Sequence, residues 1–572
     1  MKTKIFIASL LLALTGCEDM NLVPKAQGNT ESWYTTETEL NMAANEFYIL
    51  GYWQEPLSSS EQWSDNTTYR LVNRNPGSNG AVLDGTMNGQ QYEVYALWQQ
   101  SYKLIARCNT MLENIHKAEG NVPENIIQRY AGEAYFARAC KYADLVFFYG
   151  DVPYLGQTET IEEAETQGRA PKAEVVAHIY EDFDKAIAYL PESYGTSESI
   201  HATKGAALAM KARFALYNGD YAKAEEAAKA CIDLGIYALE PDYAKLFSQS
   251  TKVNAEKVFV IPRSIVNEVL LDSWIVKNGL PRNAGGYGSY NPSWDLLAAY
   301  LCTDGLPIDE SPLFDPHSPF KNRDPRCSMT IVPFNTEHCG FDYNPSPAAK
   351  TVMNFTTGNM QSNQDSRIIN QYASYNGLLW KKGIDATWLD NGMKVEQDYI
   401  VIRYADVLLI YAEALLEQNK NLDIAAHYIN LVRARAYAVD VVATDAYPAV
   451  RAENQEQMRK ALRVERRMEF AMENQRLQDL MRWKLASKAL NGYNYILLQP
   501  TDLLNNVVNK GLWFWAMTPQ IDDDGLADFS ALSNAGYCTT GAQRIFPERQ
   551  YLWPIPTHDM ELNSNLTNNP GY

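Results

Sequence analysis

Apolar residues recur every three or four positions in two separate parts of the chain, and this spacing gives an α-helix one apolar face. The first part is an alanine-rich run over 203–217, the turn Asn218-Gly219-Asp220, and a second run with apolar residues at Tyr221, Ala224, Ala228, Cys231 and Ile232. Both runs are long enough for helices, and the polar turn between them is short. The pattern predicts a helical hairpin of about 34 residues, the size of one tetratricopeptide unit.

A second helical hairpin is predicted on the two sides of the turn Asn419-Lys420-Asn421. The run before this turn has its apolar positions at Ala405, Leu408, Leu409, Ala412, Leu415 and Leu416. The run after it has them at Leu422, Ala425, Ala426, Ile429, Val432 and Ala436. Segments 129–149 and 174–190 show helical patterns as well, and they could supply further hairpins.

The character of the sequence changes between the two helical regions. From 236 to 401 glycine, proline, asparagine and tyrosine dominate, and only short segments such as 258–261 resemble strands. An irregular stretch of this length in a compact protein is usually functional. We therefore predict a mainly α protein, a tetratricopeptide-like scaffold of helical hairpins with a long loop-rich insert. The hairpins lie within about 35–235 and 402–485, the insert at about 236–401, and a C-terminal irregular segment at about 486–572.

The first seventeen residues have the pattern of an export signal. Two lysines precede a ten-residue apolar stretch at 5–14, which is too short to span a bilayer. Small residues stand directly before Cys17, and this arrangement resembles a bacterial lipobox. We predict a lipoprotein signal peptide at 1–16, acylation of Cys17, and a lipidated tether at 17–30 that anchors a single domain formed by 31–572 to a membrane.

The chain has 572 residues, and 50 lysines and arginines against 69 aspartates and glutamates give it a net charge of −19. A nucleic-acid-binding surface is clustered and basic, so this acidic balance argues against a nucleic acid partner. Beyond the N-terminus no apolar run is long enough to predict a membrane-spanning helix. The chain also has 36 tyrosines and 12 tryptophans, and a protein so rich in amphipathic rings is expected to expose some of them.

Motifs for catalysis and for metal binding are missing from the sequence. Gly-x-Ser-x-Gly, the P-loop and His-Glu-x-x-His do not occur. The acidic turn 522–525 resembles a calcium loop only faintly, because it lacks the bidentate glutamate of the twelfth position. We therefore expect no metal, no cofactor and no catalytic residue. A pair of catalytic acids for glycoside hydrolysis stays an open alternative, because such a pair is defined by the distance between two carboxyl groups in space and not by a sequence motif.

Several segments match the motifs of one protein family, in order along the chain. They are RYAGEAYFAR at 129–138, YGDVPY at 149–154, YNGDY at 217–221, NRDPR at 322–326, RYADVLLIYAEA at 403–414, RVERR at 463–467, DLMRW at 479–483, ERQYLWPIP at 548–556 and NPGY at 569–572. These segments resemble the SusD/RagB family of surface nutrient-binding lipoproteins, which capture glycans or peptides for a TonB-dependent transporter. The resemblance implies a SusD-like fold, a lipid anchor in the outer membrane facing the extracellular surface, and a SusC-like TonB-dependent transporter as partner.

The charged residues of these motifs have a structural interpretation. Arg403 and Asp406 lie three positions apart on one predicted helix, where a charge pair contributes about 0.2–0.5 kcal/mol. We expect Arg138, Arg463 and Arg466 to bond backbone carbonyls of the insert and to tie it to the scaffold.

The ligand site is expected in loops where aromatic rings stand beside polar side chains, since binding in this family relies on such residues. A sugar ring packs its C–H face on an aromatic plane, and its hydroxyls bond to the polar groups. The predicted glycan-binding residues are Trp63, Asp65, Asn66, Tyr69 and Arg70 in a first cluster, Tyr287 and Tyr290 in a second, and Arg367 and Trp388 in a third that also holds Tyr372, Tyr375 and Trp380. The alternative is that these rings pack the insert onto the scaffold, which is our expectation for Trp294 and Trp380.

The leading hypothesis is a non-catalytic lipoprotein that captures oligosaccharide or polysaccharide at the cell surface and delivers it to the transporter. The same role with a peptide ligand is a second hypothesis, and a surface glycoside hydrolase is a third. A repeat scaffold without a ligand would leave the aromatic insert unexplained. The net charge of −19 favours a neutral glycan over a polyanionic one.

Overall fold

The computed structural model describes residues 33–53, 61–70, 80, 82–195 and 200–572. The predicted signal peptide 1–16, Cys17 and the tether 17–30 lie outside the described residues. Within the described ranges, no helix is both long enough and apolar enough to cross a bilayer.

The first part of the chain consists mostly of helices. Its elements are α1 (Glu37–Asn45), β1 (Thr67–Tyr69), α2 (Tyr92–Asn114), α3 (Glu124–Tyr149), α4 (Ile161–Thr166), α5 (Lys172–Tyr189), α6 (Lys204–Asn218) and α7 (Tyr221–Asp233). Helices α6 and α7 form the first predicted hairpin. The Thr203 hydroxyl caps α6 by accepting a hydrogen bond from the backbone N–H of Ala206 at 3.1 Å. Gly219 ends this helix in the left-handed conformation, with φ of 81°.

The insert is built of short helices and strands. They are α8 (Tyr243–Leu246), β2 (Lys257–Ile261), α9 (Ser273–Gly279), β3 (Tyr290–Pro292), α10 (Trp294–Ala299), α11 (Pro325–Thr330), β4 (Thr336–His338), β5 (Phe341–Tyr343), β6 (Thr351–Asn354), β7 (Asn359–Ser362) and β8 (Tyr399–Arg403). Strands β4 to β7 form an antiparallel sheet in sequence order. Strand β2 pairs antiparallel with β8, and Val260 lies opposite Ile400. The chain therefore enters and leaves the insert at neighbouring strands.

Helices resume directly after β8. They are α12 (Tyr404–Glu417), α13 (Leu422–Ala436), α14 (Gln455–Phe470), α15 (Arg476–Arg482) and α16 (Ala486–Ala489). Helices α12 and α13 are the second predicted hairpin, and α12 packs on α7 of the first hairpin as well as on α13. Ala228, Ala412 and Ala425 are fully buried, and such small residues let neighbouring helices approach closely. The mainly α, tetratricopeptide-like architecture is confirmed.

The C-terminal segment contributes to two hydrophobic cores. Its elements are β9 (Gly492–Ile496), α17 (Pro500–Asn506), β10 (Gln520–Ile521), β11 (Ala527–Asp528), α18 (Ser530–Asn534), β12 (Thr539–Arg544) and α19 (Thr557–Leu562). Trp553 packs in the core of the helical scaffold, and Trp515 packs in a second core within the insert. That second core also contains Trp294 and Trp380, as their packing interpretation predicts.

Buried ion pairs join the insert to the scaffold, and they correct the predicted pairing of Arg403 with Asp406. The Nη1 atom of Arg403 lies 2.6 Å from Glu256 and 2.7 Å from Glu469. Arg403 is the N-cap residue of α12 and has extended backbone, with φ of −131°, so its side chain leaves the helix face. Asp406 instead contacts Arg213 at 2.7 Å and Arg466 at 3.0 Å.

The prediction that motif arginines bond carbonyls of the insert is also wrong. Arg138 binds both oxygens of Asp182, at 2.7 and 2.8 Å, and its one backbone acceptor, the Gly156 carbonyl at 3.0 Å, lies in the first helical part. Arg466 contacts Asp479 at 2.9 Å in addition to Asp406. A buried guanidinium needs a counter-charge to offset its desolvation, and carboxylates of the scaffold supply it. Arg463, the third of these residues, lies 3.8 Å from Asp524.

Candidate binding site

Strand pairing brings the first two predicted clusters together. Strand β1 pairs antiparallel with β3, and Tyr69 lies opposite Tyr290, with 5.0 Å between their ring centroids. The next residue, Arg70, continues the pairing through its backbone N–H, which donates to the Ser289 carbonyl at 2.9 Å. Its guanidinium also donates to the Ser289 hydroxyl, at 3.2 Å from Nη2. Two segments that are more than 200 residues apart thus form one surface.

Trp274 completes this surface, although the sequence patterns did not single it out. It lies in the first turn of α9, where the Asp272 side chain accepts the backbone N–H of Trp274 at 2.7 Å. Its ring lies 5.7 Å from the Tyr287 ring at an interplanar angle of 62°. Trp274 is 52% exposed, whereas the tryptophans of the insert core are buried. No local sequence signal separates Trp274 from the two residues that follow it, because Ile275 and Val276 stand in the same apolar run and are buried.

Two arginines, Arg70 and Arg282, connect Tyr372 to these residues. The Arg70 and Arg282 guanidinium carbons lie 5.5 and 5.9 Å from the centroid of its ring. Nη1 of Arg282 donates to the carbonyls of Tyr287, at 3.0 Å, and of Tyr372, at 3.3 Å. We call the five residues of this surface the aromatic face: Tyr69, Trp274, Tyr287, Tyr290 and Tyr372.

The loop before β3 holds Tyr287 in place through tight backbone contacts. Asp365 is buried and accepts the backbone N–H groups of Arg282, at 2.8 Å, and Asn283, at 3.1 Å. Burial raises the pKa of Asp365, and the hydrogen bonds from these N–H groups oppose that shift. A Cβ atom on Gly286 would collide with the carbonyl oxygen of Leu280, so only glycine fits there. The loop is therefore a rigid support for the aromatic face.

Asp65 and Asn66, which we predicted as ligand contacts, are buried anchors in the structure. Asp65 is 1% exposed and lies 2.8 Å from Arg476 and 2.9 Å from Arg467. Burial by itself would raise the pKa of Asp65, but the two guanidinium groups outweigh it and hold that pKa well below its ordinary value. Asn66 accepts from Nε of Arg467 at 3.0 Å and donates to Glu61 at 3.2 Å. These side chains face the protein interior because each satisfies a buried partner there.

Trp63 and Trp388 also belong to the packing. Trp63 contacts Trp553 edge-to-face at 5.4 Å and packs against the scaffold core. Trp388 is 1% exposed, and its ring packs so closely on Gly279 that a Cβ there would lie 3.3 Å from it. Trp388 is therefore a correction to the predicted site, whereas Trp63 is half-buried and its role in ligand binding stays a prediction.

The C-terminal segment binds the guanidinium of the half-buried Arg367. Its Nη1 donates to the carbonyls of Leu497 and Leu498, at 3.4 and 3.3 Å, and its Nη2 donates to Gln499 at 2.9 Å. Its guanidinium carbon stacks 4.1 Å from the centroid of Tyr375. Of the nine predicted residues, the aromatic face retains Tyr69, Tyr287 and Tyr290, with Arg70 beside them.

Within the described part of the chain, no group of three or more His, Cys, Asp or Glu side chains is arranged to hold a metal ion. The acidic turn at 522–525 uses its oxygens internally. Oδ1 of Asp522 accepts the backbone N–H groups of Asp524 and Leu526 at 2.9 and 3.0 Å, and Oδ2 lies 2.9 Å from Lys488. The turn is thus a capped surface loop.

A groove of about 800 Å³ lies between the end of the first hairpin, α15 and the C-terminal segment, and it is lined by residues other than the aromatic face. Several of its cationic side chains hold the C-terminal segment in place. Arg169 donates to Asp151, Thr567 and Asn569 at 2.6–2.8 Å, and Arg482 is paired with Glu413. These two arginines of the groove thus have structural partners.

Comparison with known proteins gives consistent results along the whole chain. The model of the SusD family matches residues 271–572, more than half of the chain, and a model described as starch-binding associating with outer membrane matches residues 23–216. The SusD-like protein P2 of Formosa agariphila is 27% identical over 597 aligned positions that cover 100% of both chains. The SusD-like protein of Bacteroides ovatus is 22% identical, with 100% of this chain and 97% of its own covered.

Solved structures agree with these matches. A SusD-like carbohydrate binding protein from Bacteroides fragilis has a TM-score of 0.75 at 27% identity, over 93% of this chain and 99% of its own. A laminarin binding SusD-like protein has a TM-score of 0.60 at 19% identity, over 94% and 100%, which is a likeness of fold. The family model, the relatives and the fold agree with the motifs: the chain belongs to the SusD/RagB family.

Proposed function

We propose that this protein is a non-catalytic glycan-binding lipoprotein of the cell surface, which captures oligosaccharide or polysaccharide on the aromatic face and delivers it to a TonB-dependent transporter. The exposure of Trp274, 52%, carries the proposal. A tryptophan costs free energy when it stays in water, and its ring lies 5.7 Å from the ring of Tyr287. The aromatic face exposes Trp274 and Tyr372, and exposed apolar surface of this kind marks a binding site more often than a packing defect.

The chemistry of the face suits sugar rings. Aromatic planes accept the C–H faces of pyranose rings, and the phenol groups and the neighbouring guanidinium groups of Arg70 and Arg282 can bond to hydroxyls. An open face also fits a polymer, which enters and leaves from the side. Affinity is expected to be modest, because an open, solvated site leaves little free energy after the cost of association.

The relatives favour a glycan over a peptide. The Bacteroides fragilis structure is described as carbohydrate binding, another solved structure as laminarin binding, and the second family model as starch-binding. In this proposal Cys17 carries the lipid anchor in the outer membrane, and the protein faces the extracellular surface. A SusC-like TonB-dependent transporter is its partner, and the scaffold holds the glycan for it.

Calorimetric titration of the intact lipoprotein in detergent against a panel of polysaccharides tests the proposal, with an assay for released reducing sugar in each mixture. We expect heat of binding without sugar release, and loss of that heat in Trp274→Ala. The matched control is Tyr92→Ala, since Tyr92 is 78% exposed and lies at the start of α2. Sugar release would favour the hydrolase, and binding of peptides alone would favour the second hypothesis.

A further inference from the structure

We infer that the glycan held on the aromatic face carries anionic groups, carboxylates or sulfate esters, and that Arg70 and Arg282 recognise them beside Tyr372. This inference rests on the proposed function and names the class of its ligand. It differs from the neutral glycan that the net charge of the chain favours.

Cationic groups concentrate at the aromatic face in a protein whose net charge is −19. The guanidinium carbons of Arg70 and Arg282 lie within 6 Å of one ring centroid, that of Tyr372. The Lys277 ammonium lies 5.9 Å from the ring centroid of Tyr287. Three positive charges beside two neighbouring rings repel one another, and a ligand with negative charge would relieve that repulsion.

Neutral groups hold these cations in position. Nη1 of Arg282 donates to two backbone carbonyls, at 3.0 and 3.3 Å, and Nη2 of Arg70 donates to the Ser289 hydroxyl at 3.2 Å. Such partners fix the direction of a guanidinium and leave its charge in place. In Arg282 these carbonyls leave Nε without an acceptor among the described residues, and the edge of a planar guanidinium that carries Nε can bind carboxylate and sulfate groups in bidentate fashion.

Arg282 also has a buried donor that is not used. Its Nε is buried and has no hydrogen-bond acceptor among the residues that the structure describes. Burial lowers the pKa of Arg282, and the nearby carboxylate of Asp365 offsets only part of this lowering. An anionic oxygen at the guanidinium would add a charge-assisted hydrogen bond and offset the cost of burial.

The carboxylates near the face are engaged elsewhere. Asp272 accepts the backbone N–H of Trp274 at 2.7 Å, and Asp365 accepts those of Arg282 and Asn283. Neutral sugars present hydroxyl donors, which carboxylate acceptors bind well. Here donors and positive charge outnumber such acceptors, so a ligand rich in acceptors and negative charge is the better complement.

The acidic remainder of the protein does not prevent this interaction. At physiological ionic strength charges are screened beyond about 8 Å, so groups in contact with the ligand dominate its electrostatic energy. The distant acids are expected to slow the approach of a polyanion, whereas the local arginines stabilise the bound state.

Matched glycan pairs test the inference by calorimetry on the intact lipoprotein in detergent. One arm compares oligogalacturonates with their methyl esters, and the other compares sulfated galactan oligosaccharides with their desulfated forms. We expect the charged member of at least one pair to bind at least about tenfold more tightly, with a preference that declines between 50 and about 500 mM salt. The arm that responds identifies carboxylate or sulfate as the group recognised.

Variants separate recognition of charge from support of the loop. Arg282→Gln is expected to reduce the preference for the charged member to about threefold or less, because it weakens binding of the charged form more than binding of the neutral form; a merely structural role would weaken both forms equally. Arg70→Gln is expected to act in the same direction. The matched control is Arg549→Gln, because Arg549 lies 5.3 Å from the Tyr572 ring centroid and donates to the Gly85 carbonyl at 2.7 Å.

Failure of the inference and failure of the proposed function give different results. Equal affinity for charged and neutral members, lost in Trp274→Ala, would overturn the inference and retain the glycan-binding function. Binding of neutral polysaccharides from the panel without binding of either charged probe would overturn it as well. Absence of binding to every glycan would contradict the proposed function, and the inference with it.

Discussion

Arg476 binds the carboxylate of Asp65 through two parallel hydrogen bonds of 2.8 and 2.9 Å, although the two residues are 411 positions apart. Both side chains are buried. Asp65 stands two residues before β1, the strand that ends at Tyr69. The ion pair therefore attaches this strand to the scaffold helix α15. The aromatic face is thus positioned by charges that do not contact its ligand.

Asp65→Asn is expected to destabilise the protein by about 3–5 kcal/mol, because it leaves Arg467 and Arg476 buried without their counter-charge. Denaturant unfolding monitored by circular dichroism measures this change. Asp445→Asn, at an exposed position, is the control and should change stability by less than about 0.5 kcal/mol. Equal effects of the two substitutions would show that the buried pair is not important for stability.

The stability of the protein is expected to fall as the pH decreases below about 5. Burial by itself would raise the pKa of Glu469, but Arg435, Arg403 and Arg326 outweigh burial and hold that pKa well below its ordinary value. The glutamate pKa in the unfolded chain is about 4.3. Protonation therefore favours the unfolded chain, and the stability from these ion pairs is present above that pH and lost below it.

Glu469→Gln tests this pH dependence because it removes one titrating group. Unfolding free energies at pH 7 and at about pH 4 should differ less in the variant than in the wild type. Asp295 and Asp365 have pKa values raised by burial, so their protonation stabilises the folded protein. Both residues are present in the wild type and in the variant, and their contribution therefore cancels in this comparison. A variant with the wild-type pH dependence would contradict the role of Glu469.

Trp274→Ala is expected to weaken glycan binding about 5–30-fold, which corresponds to 1–2 kcal/mol. Its effect on stability should stay within about 0.5 kcal/mol, because the side chain is half exposed in the unbound protein. Affinity electrophoresis in polysaccharide-containing gels and thermal denaturation measure the two effects. A large loss of stability with unchanged affinity would assign Trp274 to the packing.

Gly286→Ala is expected to weaken binding and to destabilise the insert by about 1–3 kcal/mol, because the new Cβ forces the loop away from Leu280 and displaces Tyr287. Gly168→Ala is the matched control, since a Cβ at that exposed glycine meets no atom within 4 Å. Binding and thermal stability are measured for both variants. Wild-type behaviour of Gly286→Ala would show that the loop adapts to a side chain.

The scaffold could be predicted from the sequence because its signals are local. The apolar spacing of 405–416 and the turn at 218–220 determine a helix and its end within a few residues, and both hairpins are found in the structure. The two hairpins stack through contacts between α7 and α12. The insert separates these helices in the sequence, so the apolar periodicity of each hairpin does not predict their contact. The repeat length and the motifs suggested that stacking.

The site was predicted less well because its geometry depends on distant partners. Tyr69 and Tyr290 appeared in separate clusters, and only the register of β1 and β3 places them 5.0 Å apart. Asp65 has the local context of a ligand residue, and its arginine partners come from the far end of the chain. Trp274 lies in a short apolar run that resembles core, and it is exposed while the next two residues of that run, Ile275 and Val276, are buried.

Binding of the glycan to the aromatic face is best tested by a crystal structure of the protein in complex with an oligosaccharide. We expect sugar rings across Trp274 and Tyr372, with ligand oxygens within hydrogen-bond distance, about 3 Å, of the Arg282 guanidinium. Oligosaccharide in the groove beside α15, with the aromatic face empty, would contradict this expectation.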